Sequence, residues 1–125
     1  MKIENIKFKA KQLNSGKWFE GDLVHLGNRV CIGGDHIKDG ITDVDPSTVC
    51  QFTGEKDMNG TEIYIGDFIS NLETGSVIEV VWNDRLKRLD CKFLYAEKGI
   101  EIPFGIFITR YAKSVVLKSK FDKEK

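Results

Sequence analysis

Residues 63–82, IYIGDFISNLETGSVIEVVW, decide the fold that this sequence predicts. Their apolar residues form two short runs, and the segment ETGS at residues 73–76 separates the two. Isoleucine, valine and tryptophan favour strands, whereas glycine and serine favour turns. The stretch therefore predicts a β-hairpin, which the chain enters through a sharp corner at Gly66-Asp67.

Alternation of apolar and polar residues continues outward from this hairpin in both directions. On the N-terminal side, Ile6, Phe8 and Ala10 alternate with lysines. On the C-terminal side, every second residue from Ile100 to Ile108 is apolar. A period of two is typical of a half-buried strand, so both segments are predicted strands. Because proline cannot donate to a ladder, Pro103 either assigns the second strand to a sheet edge or makes it begin late.

Helices find little support in the pattern. No long stretch has the apolar stripe of an amphipathic helix, and the least unfavourable candidates are residues 84–89 and the segment after Ala112. Turn signals such as Asn59-Gly60 separate about eight short strands. We therefore predict a mainly β protein of antiparallel sheets or a small barrel, with an SH3-like barrel segment in the C-terminal half. The length of 125 residues suits a single domain, 1–125, while a division into two lobes near residues 45–54 stays open.

The composition excludes several classes of protein. Hydrophobic residues make up 41% and charged residues 30%, which excludes a wholly disordered chain. No run approaches the ~20 apolar residues of a membrane-spanning helix. The first residues, MKIENIKFKAK, lack the apolar segment of a secretory signal. The three cysteines are an odd number at wide spacing, so we interpret them as reduced thiols in a reducing cytoplasm, with a zinc site or an active thiol as alternatives.

Charge is balanced over the chain but not along it. Nineteen basic side chains match nineteen acidic ones, which argues against a whole-protein binder of polyanions. Residues 33–67 hold two basic and eight acidic side chains, whereas residues 110–125 hold six basic and two acidic. The basic tail, residues 112–125, has three open interpretations. It is a solvated and mobile terminus, it contacts the acidic middle of this or a neighbouring subunit, or it contacts nucleic acid.

A longer signature spans residues 45–69, DPSTVCQFTGEKDMNGTEIYIGDFI. Its Thr-Val strand entry, the string QFTG, the Asn-Gly turn and the string IYIGDFI resemble the YopX family of phage and prophage proteins. The opening IKFKAKQLNSGKWFEGDL is also similar to the start of that family, whereas the final residues, ITRYAKSVVLKSKFDKEK, depart from the family's Gly-Asn-bearing end. The resemblance implies a small, largely β protein, encoded by bacteria or phage. The function of the family is not established, and the resemblance brings no catalytic residue set.

We interpret the signature as structural. Its glycines suit turns and a corner, and its apolar residues suit a core or an interface. Thr53, Asp57 and Asp67 suit caps on backbone N–H groups. The residues assigned to this structural motif are Thr48, Gln51, Phe52, Thr53, Gly54, Asp57, Asn59, Gly60, Ile63, Tyr64, Gly66 and Asp67.

Catalytic and metal-binding interpretations of the same signature find less support. A calcium loop that starts at Asp57 would need a glutamate at its twelfth position, where this chain has Phe68. Asp57 and Asp67 would make a carboxylate pair, but spacing ties no histidine or nucleophile to them. We therefore expect no catalytic residues, no metal, no cofactor and no enzyme activity.

Two hypotheses for function follow. The leading one is a self-associating protein-interaction module, a homo-oligomer with an unidentified protein partner, in the cytoplasm of a bacterial host and not at a membrane. It rests on a generous apolar supply, including eight phenylalanines, and on β-edges that need partners or protection. The alternative is a small nucleic-acid-binding barrel whose aromatic and basic residues share a face. Those residues are Trp82, Arg85, Lys87, Arg88, Lys92, Tyr95, Arg110 and Tyr111.

Overall fold

The computed structural model of the chain describes residues 2–94, 101–110 and 113–122. It is mainly β and antiparallel, as the alternation predicts. The strands are β1 Phe8–Lys11, β2 Trp18–Leu26, β3 Arg29–Gly33, β4 Ile41–Asp43, β5 Cys50–Lys56, β6 Glu62–Tyr64, β7 Asp67–Asn71, β8 Val77–Asn83, β9 Arg88–Phe93, β10 Glu101–Pro103 and β11 Ser114–Ser119. In the described residues one α-helix, α1, spans Phe104–Arg110, and short 3-10 turns span Ile3–Asn5, Lys38–Gly40 and Pro46–Thr48.

The chain divides into two compact units, residues 1–54 and 55–125. The strands form one sheet in the order β4-β3-β2-β1-β5-β6 and a second in the order β10-β9-β8-β7-β11. Strand β5 runs across the division between the units. The α-helix in the described residues is too short to cross a membrane.

The sheet of the first unit closes on itself. Strands β1 to β4 are successive antiparallel neighbours, and Gln12, just after β1, bridges to Val44, just after β4. A backbone bond of 2.8 Å from Asp45 N to Lys11 O continues this contact. The closure joins the end of β1 to the end of β4, so apolar residues on the inner side form a core. That core contains Ala10, Ile32, Ile37 and Val44, with Phe8, Phe19, Leu23, Val30 and Val49 packed against it.

Gly21 allows the close approach of β2 and β3 in this unit. Its φ is +154°, which side-chain-bearing residues rarely adopt. A Cβ at this position would overlap the carbonyl oxygen of Gly33. The glycine that interrupts the apolar run after Phe19 is therefore a packing requirement of the sheet.

The second unit is built on the five-stranded sheet. Strands β7, β8, β9 and β10 pair in chain order, and β11 returns to pair with β7 on the other side. Helix α1 packs against β9 and β10. The SH3-like barrel expected here stays a prediction. The core contains Ile63, Ile69, Ile78, Val80, Cys91, Phe104 and Phe107.

The alternation from Ile100 to Ile108 predicts a single strand, and this prediction is wrong for residues 104–110. Strand β10 ends at Pro103, and α1 begins at the next residue. Phe104 and Phe107 are buried, whereas Ile106 is 49% exposed. A spacing of three puts both phenylalanines on one helix face, so the helix buries more aromatic surface than a strand would. Pro103 favours the change, since it has no N–H with which to extend the ladder.

Neither of the two least unfavourable helix candidates forms a helix in the described residues, as the prediction of little helix expects. Residues 84–87 form the turn between β8 and β9, because Asn83 ends the strand and its side chain accepts a bond from Leu86 N at 3.0 Å. The segment after Ala112 holds strand β11. Its paired valines, Val115 and Val116, lie opposite Ser70 and Ile69 in β7, a cross-strand environment that suits β-branched side chains.

Candidate functional site

Asp57 ties the central signature to the last strand of the second unit. Its Oδ1 accepts hydrogen bonds from the backbone N–H groups of Asn59 at 2.8 Å and Thr61 at 2.9 Å. Its Oδ2 accepts from Val116 N at 2.9 Å. The carboxylate, for which the sequence predicts a capping role, therefore orders its own turn and also holds β11. All of these bonds are to backbone N–H groups, as expected for a structural side chain.

The Gly66-Asp67 corner is held by a second set of backbone contacts. Asp67 is 1% exposed, and its Oδ2 accepts from Tyr64 N at 2.8 Å. Gly66 has φ +99°, its N–H donates to Val80 O, and its carbonyl accepts from Lys120 N, each at 2.8 Å. The corner thus fixes the angle at which the chain enters β7.

The remaining signature residues lie in the core or in turns. Thr48 Oγ1 accepts from Lys11 N at 2.9 Å and donates to Asp45 O at 2.7 Å. Ile63 and Tyr64 are buried, and so is Phe52, over whose ring Lys7 Nζ lies 4.9 Å from the centroid. Thr53 and Gly54 are half-buried. The exposed members of the motif are Gln51, Asn59 and Gly60.

Three of the residues assigned to nucleic-acid binding line one groove. Trp82, Arg85 and Lys92 border a cavity of about 470 Å³, together with Val81, Asn83, Asp84 and Glu101. Trp82 is 47% exposed, so its ring is accessible from this groove. We call this cavity the hairpin groove, because most of its lining belongs to the β8–β9 hairpin. Lys87 and Arg88 lie on the same hairpin but do not line it.

Three other candidates from the sequence lie wholly or in part outside this description. Tyr95 and Tyr111 are outside the described residues, and so is the side chain of Arg110. The structure therefore brings Trp82, Arg85 and Lys92 together, and the aromatic platform expected from the larger set stays a prediction.

The polar groups of the hairpin groove are held in place by hydrogen bonds. The indole Nε1 of Trp82 donates to Asp84 Oδ1 at 3.0 Å. The Asn83 amide donates to Asp90 Oδ2 at 2.8 Å and to Glu101 Oε2 at 3.3 Å. Each carboxylate of the lining thus accepts at least one bond, and the bond to Asp84 favours one orientation of the tryptophan ring.

Asp90 is a buried carboxylate beneath this network. Arg88 Nε lies 2.6 Å from Asp90 Oδ1, and Asp90 is fully buried. Burial alone would raise the pKa of Asp90, but hydrogen bonds from Asn83 and Arg88 and the Arg88 charge outweigh it, so the pKa lies below the ordinary value. Asp90 is therefore an ionised anchor for the base of the hairpin.

The cations of the hairpin are not all neutralised. Arg88 is paired with Asp90. Arg85, Lys87 and Lys92, in contrast, have no ion pair or hydrogen bond from their side chains to any part of the chain that the structure describes. Glu79 lies opposite Lys92 in the register, but its carboxylate is 3.6 Å from Lys120 Nζ. The hairpin thus presents three positive charges to solvent.

A polar cluster around Cys31 occurs in the first unit. Cys31 Sγ donates to Asp43 Oδ1 at 3.1 Å, and Arg29 Nε donates to the same oxygen at 2.9 Å. Burial, followed by the Asp43 contact, raises the pKa of Cys31, and burial raises the pKa of Cys91 to about 12. Both thiols are therefore protonated and poor nucleophiles near neutral pH.

Comparison with known proteins identifies the family. The YopX protein family model matches residues 4–107 of the chain. The chain belongs to the YopX family. A search of curated proteins finds no match. The matched range includes the central signature and all of the hairpin groove, and it ends within α1.

Sequence reasoning on this YopX chain missed part of the groove lining. In the sequence pattern, Asp84 only begins one of the two weak helix candidates, and Glu101 is one polar position of an alternating strand. The register of β9 with β10 places Glu101 opposite Lys92, a pairing that spacing in the sequence does not reveal. No three of the His, Cys, Asp and Glu side chains in the described ranges come together as metal ligands.

Proposed function

We propose that this YopX protein is a non-enzymatic, self-associating interaction module that acts in the cytoplasm of a bacterial host and is encoded by phage or prophage. The observation that supports self-association is the number of large apolar side chains that contact water. Burying such side chains against a partner is favourable. Those at least 43% exposed are Ile3, Ile6, Leu13, Leu26, Met58, Leu72, Trp82, Leu86, Ile106 and Leu117.

We propose that copies of the chain associate by packing exposed side chains together and not by adding strands at a sheet edge. On the outer side of β11, the Val116 N–H already donates to Asp57 Oδ2, and the Ser114 carbonyl already accepts from Met58 N. The sheet edge at β10 carries Pro103, which lacks an N–H. Unprotected sheet edges are one reason to expect a partner. Within the second unit the sheet edges are therefore partly protected.

Light scattering at several protein concentrations tests self-association. We expect the wild-type chain to be larger than a monomer at tens of micromolar, and a strict monomer there would overturn the proposal. Two matched triple variants then map the contact. One replaces Met58, Leu72 and Leu117 of the second unit by glutamine, and the other replaces Ile3, Leu13 and Leu26 of the first. The unit whose variant dissociates contains the interface.

The hairpin groove supports nucleic-acid binding as a second candidate function. A half-exposed tryptophan lies beside Arg85 and Lys92, and aromatic stacking with nearby cations is the way that many small β-barrels hold single strands. The net charge of zero argues for a short local contact rather than a long one. If Arg85, Lys87 and Lys92 each meet a phosphate, the slope of log Kd against log salt is about 2 for a single strand.

Fluorescence anisotropy with labelled DNA and RNA, single-stranded and duplex, tests this second candidate at two salt concentrations. We expect single strands to bind and the affinity to fall as salt rises. The charge variant Arg85→Gln, Lys92→Gln is compared with Lys38→Gln, Lys56→Gln, which changes two exposed lysines that do not line the groove. Equal affinities of the two variants, or no binding by the wild type, would contradict this function.

A further inference from the structure

We propose that the hairpin groove takes one unpaired base, stacked on Trp82, and prefers a base that carries an exocyclic amine. This inference rests on the second candidate function and assigns its recognition chemistry. The groove volume of about 470 Å³ suits a single nucleotide, since small-molecule sites span about 300–1,000 Å³. A base inside a duplex could not reach the tryptophan face without leaving its stack.

The stacking surface is prepared before any ligand arrives. Trp82 is 47% exposed, and its Nε1 bond to Asp84 Oδ1 favours one orientation of the ring. A ring that already favours one orientation loses less side-chain entropy on binding, so stacking on it is more favourable. Any of the four bases could stack there, because each has a π-face.

Preference between bases comes from the polar lining. Asp84 and Glu101 are carboxylates, which accept hydrogen bonds and donate none when ionised. The Asn83 amide donates to Asp90 and Glu101, and its oxygen accepts from Leu86 N. With Arg85 and Lys92 assigned to phosphates, the remaining polar side chains of the lining offer a base mainly acceptors. Adenine, cytosine and guanine each carry an exocyclic amine donor, whereas uracil and thymine carry carbonyls and no exocyclic amine.

The cations then hold the phosphates that flank the base. Arg85 and Lys92 line the groove and have no ion-pair partner in the described ranges. Arg85 belongs to the hairpin turn, and Lys92 belongs to β9 between Glu79 and Glu101 in the register. Because two carboxylates flank Lys92, we expect few phosphates to be tolerated, which favours one nucleotide per copy of the chain.

Tryptophan fluorescence of the Trp18→Phe variant tests the inference, since Trp82 is then the sole tryptophan. Short oligoadenylate and oligouridylate of equal length are the probes. We expect oligoadenylate to quench Trp82 and to bind about tenfold more tightly than oligouridylate. Anisotropy of the labelled oligonucleotides on the unmodified chain repeats the comparison without relying on the variant's fold.

Glu101→Gln is the sharpest variant, because it keeps the shape of the side chain and adds a donor. We expect it to reduce the preference for oligoadenylate by about threefold or more. Glu73→Gln, at an exposed turn residue outside the groove, is the control and leaves the preference unchanged.

The outcomes separate this inference from the function on which it rests. Quenching with equal affinity for both oligonucleotides overturns the base preference and leaves nucleic-acid binding in place. Binding without quenching of Trp82 overturns the hairpin groove as the site. An absence of binding to either oligonucleotide overturns both the inference and the second candidate function.

Discussion

At the scale of single residues, Asp57 and Asp90 show two uses of a carboxylate that sequence alone does not separate. Asp57 accepts from three backbone N–H groups, one of them on Val116. Asp90 is buried and accepts from Asn83 and Arg88. In both cases the carboxylate stabilises the fold through these hydrogen bonds. We therefore expect the loss of either set of hydrogen bonds to lower the free energy of unfolding.

Replacing Asp57 by alanine should lower the free energy of unfolding by about 2–4 kcal/mol, because three N–H groups lose their acceptor. Asp57→Asn should lower the free energy of unfolding by less than Asp57→Ala, because the amide oxygen can replace Oδ1. Some loss should remain, because the amide nitrogen cannot accept from Val116 N. Urea unfolding measures both variants. Glu73→Ala is the control, as it removes an exposed carboxylate from a turn of the same unit. A cost for Asp57→Ala no larger than that of the control would contradict the role in capping.

Asp90 should make stability depend on pH through Arg88. The pKa of Asp90 is below its ordinary value in the folded protein, so the unfolded chain binds this proton more readily. The contribution is complete above the ordinary carboxyl pKa of about 3.9 and is lost as the pH falls through the lower folded pKa. Arg88→Met should cost about 1–2 kcal/mol at neutral pH, because Arg88 is partly exposed, and the cost should shrink in acid.

Chemical unfolding at a series of pH values measures this effect. Lys87→Met is the control, since Lys87 is the exposed neighbour in the same turn and has no described ion pair. We expect its stability to follow the wild-type pH curve. A difference between Arg88→Met and wild type that stays constant into acid would show that the ion pair is not its source.

At the scale of elements, helix α1 is the clearest case in which packing overrides a local pattern. Residues 104–108 alternate well enough for a strand, yet the same residues also place Phe104, Phe107 and Ile108 at helical spacing. Short apolar segments often carry both periods. The second unit takes the helix, which packs against β9 and β10 and puts both phenylalanines into its core.

Two neighbouring substitutions in α1 distinguish the helix from the strand. Phe107→Ala should lower the free energy of unfolding by about 3–5 kcal/mol, because Phe107 is fully buried. Ile106→Ala should change it by less than about 0.5 kcal/mol, because Ile106 is 49% exposed. In a continuous strand, Ile106 would share a face with Ile102, and the order of the two costs would be reversed. Thermal or urea unfolding of the two variants decides between these cases.

At the scale of the whole molecule, each unit has a core of its own. The first unit centres on Ile32 and Val44, and the second on Ile69, Ile78 and Phe107. The two tryptophans of the chain are divided between the units, with Trp18 in the first and Trp82 in the second. Fluorescence can therefore report on the units one at a time.

We expect a core substitution in one unit to act mainly on that unit's probe. In a Trp18→Phe background, Phe107→Ala should lower the unfolding midpoint reported by Trp82. In a Trp82→Phe background, the same substitution should lower the midpoint reported by Trp18 by a smaller amount, because Phe107 belongs to the other core. Equal shifts of both probes would mean that the chain unfolds as one cooperative unit.

The sequence by itself determined the β class, the turn at Asn59-Gly60, the Gly66-Asp67 corner and the family signature. These features depend on the periodicity and backbone preferences of adjacent residues, which a local pattern carries. Trp82, Arg85 and Lys92 were identified as candidates on residue type alone. Only the tertiary structure decided that they share a groove with Glu101, that residues 104–110 form a helix, and that Asp57 holds β11. Each of these depends on pairing and burial between residues far apart in the chain, and local propensity has no information about such partners.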